Sequence, residues 1–154
     1  MSHPAAGKDA TATTSDPACI FCRIVRGDLP AHKVYEDEHV LAFLGNSSSS
    51  TCHTLLIPKK HYRELRDMPA DSMAVLGARM PLVADAVMSG MGAQDFNILQ
   101  NNGHIAGQKV LHVHFHVIPR YKNDRHWPRS QAPRRLRLEQ TMANRQLSAI
   151  RAHL

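Results

Sequence analysis

Residues 110–120 read VLHVHFHVIPR. His112, His114 and His116 fall at every second position, separated by apolar residues. Imidazole near neutral pH can attack as a nucleophile, carry a proton or bind a metal. On a β-strand alternate residues face opposite sides. Val110, His112, His114, His116 and Ile118 would therefore share one face, and Leu111, Val113, Phe115 and Val117 the other. The apolar face suits packing on a helix, which leaves the histidines lining an open surface or pocket. Strict alternation argues against histidines that are merely tolerated. A tri-histidine metal site is one chemical reading, because H-x-H on a strand can chelate a metal. Phosphoryl or nucleotidyl transfer is another, with one histidine as nucleophile and its neighbours handling charge and protons.

The preceding residues, NNGHIAGQK (101–109), favour the transfer reading. Gly103 and Gly107 can turn backbone N–H groups toward an anion. Asn101 and Gln108 add neutral donors that could hold phosphate oxygens, and Lys109 could add a positive charge. His104 reads as a loop residue.

A second signal is Cys19-x-x-Cys22. The pair could be redox-active, but no thioredoxin-like βαβ pattern surrounds it. It could be two buried thiols, or half of a metal site. The chain has three cysteines. The odd count argues against a disulfide framework, and Cys52 reads as a plain small residue.

These groups need a scaffold. Val34–Tyr35 and then Val40, Ala42 and Leu44 suggest two short strands around an acidic turn, Glu36–Glu38. Gly27–Asp28 marks an earlier turn. HTLLIPKKH reads as a strand closed by Pro58, QDFNILQ as another, and VLHVHFHVIP as the next. Between them, Met73, Leu76, Met80, Val83 and Val87 step by three and four, the stripe of a buried helix face. Asp67 would cap that helix, Pro81 would kink or split it, and Gly90 and Gly92 would end it. Residues after Pro133 read as helical, with Leu136, Met142, Leu147 and Ile150 as contacts. The pattern predicts an α+β domain with a mainly antiparallel sheet.

The chain has 154 residues, a 43% hydrophobic fraction and 5% aromatics, which suits one aliphatic-cored domain. No apolar run approaches the roughly 20 residues of a membrane span, and residues 1–17 read as a flexible leader rather than a secretion signal. A cytoplasmic protein is expected. The net charge of +6 is uneven: residues 120–154 hold nine of 19 Lys and Arg but two of 13 Asp and Glu. Such a tail can bind nucleic acid, though a solvated helix face is the plainer reading.

CIFCRIVRGDLPAHKVYEDE, HTLLIPKKH, NNG…GQ and HVHFHVIPR together resemble, in order, the histidine triad (HIT) superfamily, over Cys19 to Trp127. The resemblance is strongest to its bacterial branch, which is similar to the purine nucleoside phosphoramidases. It implies a HIT domain over 18–128, with a basic, helical extension over 129–154. It implies a five-stranded antiparallel sheet with one long helix and a C-terminal helix, and a homodimer whose sheets join into ten strands. By matched position it implies His114 as the nucleophile toward the α-phosphorus of a purine nucleotide, with His116 and His53 as further active-site histidines. Asn101, Gly107 and Gln108 would lie on the phosphate side, with no catalytic metal. It also implies a structural zinc on Cys19, Cys22, His61 and His112.

Gly45 stands where the family commonly has a ribose-binding Asp, with Asn46 or Ser47–Ser50 as substitutes. A zinc-stabilised nucleotide-binding module with weak catalysis therefore stands beside the enzyme reading. HWP (126–128) resembles the segment where an aromatic residue contacts the leaving group across the dimer.

Overall fold

The computed structural model describes residues 15–45, 47–48, 53–122, 124, 136–137 and 140–154. The first helix, α1 (Ile20–Arg26), starts at Cys19 and stops at Gly27, whose φ of 85° lets it close the last turn onto the Arg23 and Ile24 carbonyls. Its Arg23 and Arg26 favour the negative end of the helix dipole. The turn expected at Gly27–Asp28 is thus the cap of a helix that the sequence pattern did not reveal.

Strands β1 (Lys33–Glu36) and β2 (Val40–Leu44) follow, as expected. Asp37 accepts the N–H groups of His39 and Val40 in the turn between them. Next come a two-residue strand, β3 (Ser47–Ser48), and β4 (Thr54–Pro58). After them lie the long helix α2 (Ala70–Met91), β5 (Asp95–Gln100) and β6 (Phe115–Arg120). A short β7 (Leu136–Arg137) and α3 (Gln140–Arg151) complete the chain. The main sheet has five strands in the order β1-β2-β4-β6-β5, and every pairing is antiparallel. A separate two-residue ladder pairs β3 with β7.

Both faces of the central strands are covered, so β2 and β4 are buried along their whole length. Val40, Ala42, Leu44, Leu56, Phe115 and Val117 pack into the layer formed with α2 and α3. Leu41, Phe43, Leu55 and Ile57 face the other way, toward Phe21 and Ile24 of α1. The period-two alternation of a strand thus feeds two cores at once.

The stripe Leu76, Val83 and Val87 is buried on α2, with Met73 and Met80 partly buried beside it. Asp67 does not cap this helix. It closes a 3₁₀ turn over Leu65–Asp67, and Pro69 occupies the N-cap of α2. Pro81 does not split the helix; it sits on the exposed side, where the Gly77 carbonyl that loses its N–H partner can be solvated. By length and composition α2 could cross a membrane, but here it carries the core of the domain.

Gly92 ends α2 at φ 62°. Gly90 has another task. A Cβ there would lie 2.7 Å from the backbone of Ala149 and Ile150, so α3 seats directly on α2 only because residue 90 has no side chain. Ala143 and Ile150 enter the core, whereas Met142, expected as a contact, is exposed and Leu136 lies on β7.

Candidate active site and metal centre

The histidine strand is shorter than the sequence suggests. Pairing of β4 with β6 begins at Leu56–Phe115 and runs outward to Thr54–Val117, so His112 and His114 precede the ladder. Pro58 has no N–H to donate to a ladder, and its carbonyl accepts the Nε2–H of His112 at 2.8 Å. Nor do the histidines line an open face. His112 is fully buried and His114 nearly so, with the Phe21 ring edge-on at 5.8 and 5.2 Å between centroids.

Because His112 gives Nε2–H to Pro58, its Nδ1 carries the lone pair. That atom lies 3.5 Å from Cys19 Sγ, 3.6 Å from Cys22 Sγ and 3.3 Å from His61 Nδ1. Cys22 Sγ is 3.3 Å from His61 Nδ1. A tetrahedron with metal–sulfur bonds of about 2.3 Å and metal–nitrogen bonds of about 2.1 Å has nitrogen–nitrogen edges of about 3.4 Å and nitrogen–sulfur edges of about 3.6 Å. The four buried donors therefore fit one metal ion. The Asp16 carboxylate lies 3.9 Å from His61 Nε2, placed to orient that ring. Burial pushes the Cys19 thiol up and pulls His112 down to about 4, which keeps His112 a neutral ligand.

His114 does something different. Its Nδ1–H donates to the His112 main-chain carbonyl at 2.6 Å, which leaves the lone pair on Nε2. Burial lowers its pKa and so favours the neutral ring. A neutral imidazole with a fixed tautomer is a competent nucleophile. The His116 ring lies 4.9 Å from that of His114. On its far side His116 meets His53 edge to edge, with nearly parallel rings 4.7 Å apart between centroids and His53 Nε2 at 2.5 Å from His116 Nδ1. His53 itself stands just before β4, and the Gly45 N–H donates to its carbonyl at 2.7 Å.

The glycine loop has its expected shape but not its expected use. Gly103 and Gly107 hold φ values of 83° and 89°. The Gly103 N–H donates to Gln108 Oε1 at 2.7 Å, and the Gly107 N–H to the His104 carbonyl at 3.0 Å. These groups fold the loop on itself rather than turning out to an anion. Gln108 is buried, and its amide donates to the carbonyls of Arg63 and Val110. Its donors are spent on holding the loop. Asn101 keeps its amide beside Gly107, and Lys109 is exposed. Asn46, Cys52 and His126–Pro128 lie outside the described residues.

A family model described as HIT domain matches residues 26–123. The chain belongs to the HIT family. Among the relatives of this HIT protein, an uncharacterized HIT-like protein of Methanocaldococcus jannaschii is 48% identical over 69% of this chain and 81% of its own. The adenylylsulfatase of Arabidopsis thaliana is 40% identical over 88% of this chain and 69% of its own. The adenosine 5'-monophosphoramidase of Schizosaccharomyces pombe is 45% identical over 67% and 74%. Of solved structures, a Bartonella henselae HIT-like protein superposes with TM-score 0.80 at 29% identity, over 92% of this chain and 99% of that one. A Zn-bound histidine triad family protein from Mycobacterium smegmatis gives 0.71 at 36% identity, over 86% and 93%.

In this HIT protein two groups at the site were not foreseen from sequence, Phe21 and the Pro58 carbonyl. The first had a signal, an aromatic residue between two cysteines. The second had none, since a backbone acceptor is invisible in residue types.

Proposed function

We propose that this HIT protein hydrolyses a nucleotide whose α-phosphate is linked to an amine, sulfate or phosphate, through a nucleotidyl-histidine intermediate on His114. The observation that carries the reading is the Nδ1–H to carbonyl bond of His114, which leaves a neutral Nε2 able to attack. In the first step Nε2 bonds to the α-phosphorus and the bond from phosphorus to the leaving group breaks. In this reading the His53–His116 pair delivers a proton to that leaving group. In the second step water attacks phosphorus and gives its proton back to the His53–His116 pair, the phosphorus–Nε2 bond breaks, and a purine nucleoside monophosphate departs. Two displacements replace one harder one. The names of the Arabidopsis and yeast relatives, an adenylylsulfatase and a phosphoramidase, support this substrate class. In our reading Asn101 meets the phosphate, with Gly107 and Gln108 shaping its loop and Lys109 and Asn46 at the margin.

The cluster of Cys19, Cys22, His61 and His112 would hold zinc as a structural ion. The similarity to a Zn-bound protein of Mycobacterium smegmatis supports that identity, and reduced thiols suit the cytoplasmic setting we propose. A tri-histidine metallohydrolase is disfavoured, because His112, His114 and His116 each engage different partners. We further propose a homodimer joined at β5. This edge strand exposes Phe96 at 45% and Ile98 at 39%, and its outer edge has no partner among the described residues. Purine nucleotides are the proposed ligands, rather than nucleic acid or membrane.

The test is release of AMP from adenosine 5'-phosphoramidate by the metal-loaded wild type and by His114→Ala. Release by wild type and loss in the variant is expected. A folded wild type that binds AMP without turnover would instead support the binding-module reading, which the lack of a carboxylate at Gly45 favours.

A further inference from the structure

We infer that the four-donor metal centre is a positioning device for His114, acting on it through two arms. The inference rests on His114 as nucleophile and on the cluster as a metal site.

The first arm is the peptide plane between His112 and Val113. Its carbonyl accepts the Nδ1–H of His114 at 2.6 Å. Its N–H, from Val113, donates to the Tyr62 carbonyl at 2.7 Å. The plane therefore begins at a ligand residue, His112, and is tied at its other end to Tyr62, the neighbour of another. His112 carries the carbonyl and gives its own Nδ1 to the centre, while its Nε2–H is held by Pro58. Tyr62 directly follows His61, the ligand from the far side of the site. A metal that draws His61 and His112 together fixes the plane from both sides and holds the carbonyl where His114 must donate.

The second arm is α1. Cys19 and Cys22 bracket Phe21, so a metal bound to both thiolates locks the helical turn that carries this ring. The Phe21 ring stands edge-on to His114 at 5.2 Å and 80°. It also packs edge-on against Phe43 at 5.5 Å, which fixes its other side. Ring and carbonyl together leave His114 one position and one tautomer, with the lone pair on Nε2.

A metal that only stabilised the fold would leave the tautomer of His114 untouched, and that is the test. Protein labelled with ¹⁵N at histidine is compared with metal loaded and after removal by chelator. The loaded protein is expected to give one His114 tautomer, protonated at Nδ1. The stripped protein, if still folded by circular dichroism, should give a mixture. An identical His114 spectrum in both states overturns the inference.

Should stripping unfold the chain, Phe21→Leu in the loaded protein decides. It is expected to keep one metal per chain, to speed solvent exchange of the His114 Nδ1–H and to lower kcat about tenfold. Unchanged exchange and kcat overturn the inference. Metal content and turnover by His114→Ala, measured in parallel, separate its failure from failure of the metal or nucleophile readings.

Discussion

A Cβ on Gly45 would stand 3.1 Å from His53 Nδ1 and 3.3 Å from the His53 carbonyl. The missing side chain therefore does more than remove a carboxylate. It makes room for the imidazole that hydrogen-bonds to His116. Gly45→Asp requires His53 to shift by a few tenths of an ångström, which should loosen its hydrogen bond to His116 and lower kcat by about tenfold, or about 1.4 kcal/mol of transition-state stabilisation, whatever it does to KM. Steady-state kinetics on adenosine 5'-phosphoramidate check this. A variant with wild-type kcat would mean that His53 yields without consequence.

His114→Ala should reduce turnover by about a thousandfold or more, because no other group among the described residues offers phosphorus a lone pair held in that tautomer. Circular dichroism must first establish folding, since the ring is buried. Retained turnover would move the nucleophile elsewhere.

Cys22→Ser and His112→Ala should each abolish stoichiometric metal binding. His112→Ala also leaves the Pro58 carbonyl without its donor and opens a cavity, a loss of about 3 kcal/mol and roughly 10 °C in Tm for a domain of this size. Metal analysis and thermal melts read both effects. Full metal content in either variant would rule out the four-donor site.

Asp37 ties the β1–β2 turn to α2. Burial alone would raise its carboxyl, but hydrogen bonds from Arg79, the Val40 and His39 N–H groups and Tyr35 outweigh that and hold it well below the usual carboxylate range. The folded pKa is depressed, so the stabilisation is present above the unfolded value near 4 and fades as pH falls below it. Urea midpoints of wild type and Asp37→Asn should differ at pH 6 by about 1 kcal/mol, and the gap should narrow steadily as pH falls below 4. A gap that stays constant with pH would show that the charge is not the source.

Gly90→Ala should separate α3 from α2 and cost about 1–3 kcal/mol through overpacking. Denaturant unfolding measures it. A variant as stable as wild type would mean that α3 slides without loss.

Much of this protein is local, and the sequence alone determined it. Strand alternation placed β1, β2, β4 and β5, and the three-and-four stepping of Met73 to Val87 placed the buried face of α2, because side-chain direction follows backbone period. Residue types named the histidines and the cysteine pair. Tertiary structure decided what each one does. Cys19 meets His112 across 93 residues of chain. A carbonyl of Pro58 chooses the nitrogen that His112 offers to the metal, and the carbonyl of His112 chooses the one that His114 keeps for attack. The glycine loop turned inward because Gln108 supplied partners for its backbone. Identical imidazoles take separate tasks only when packing assigns each ring its neighbours, and no local pattern carries that assignment.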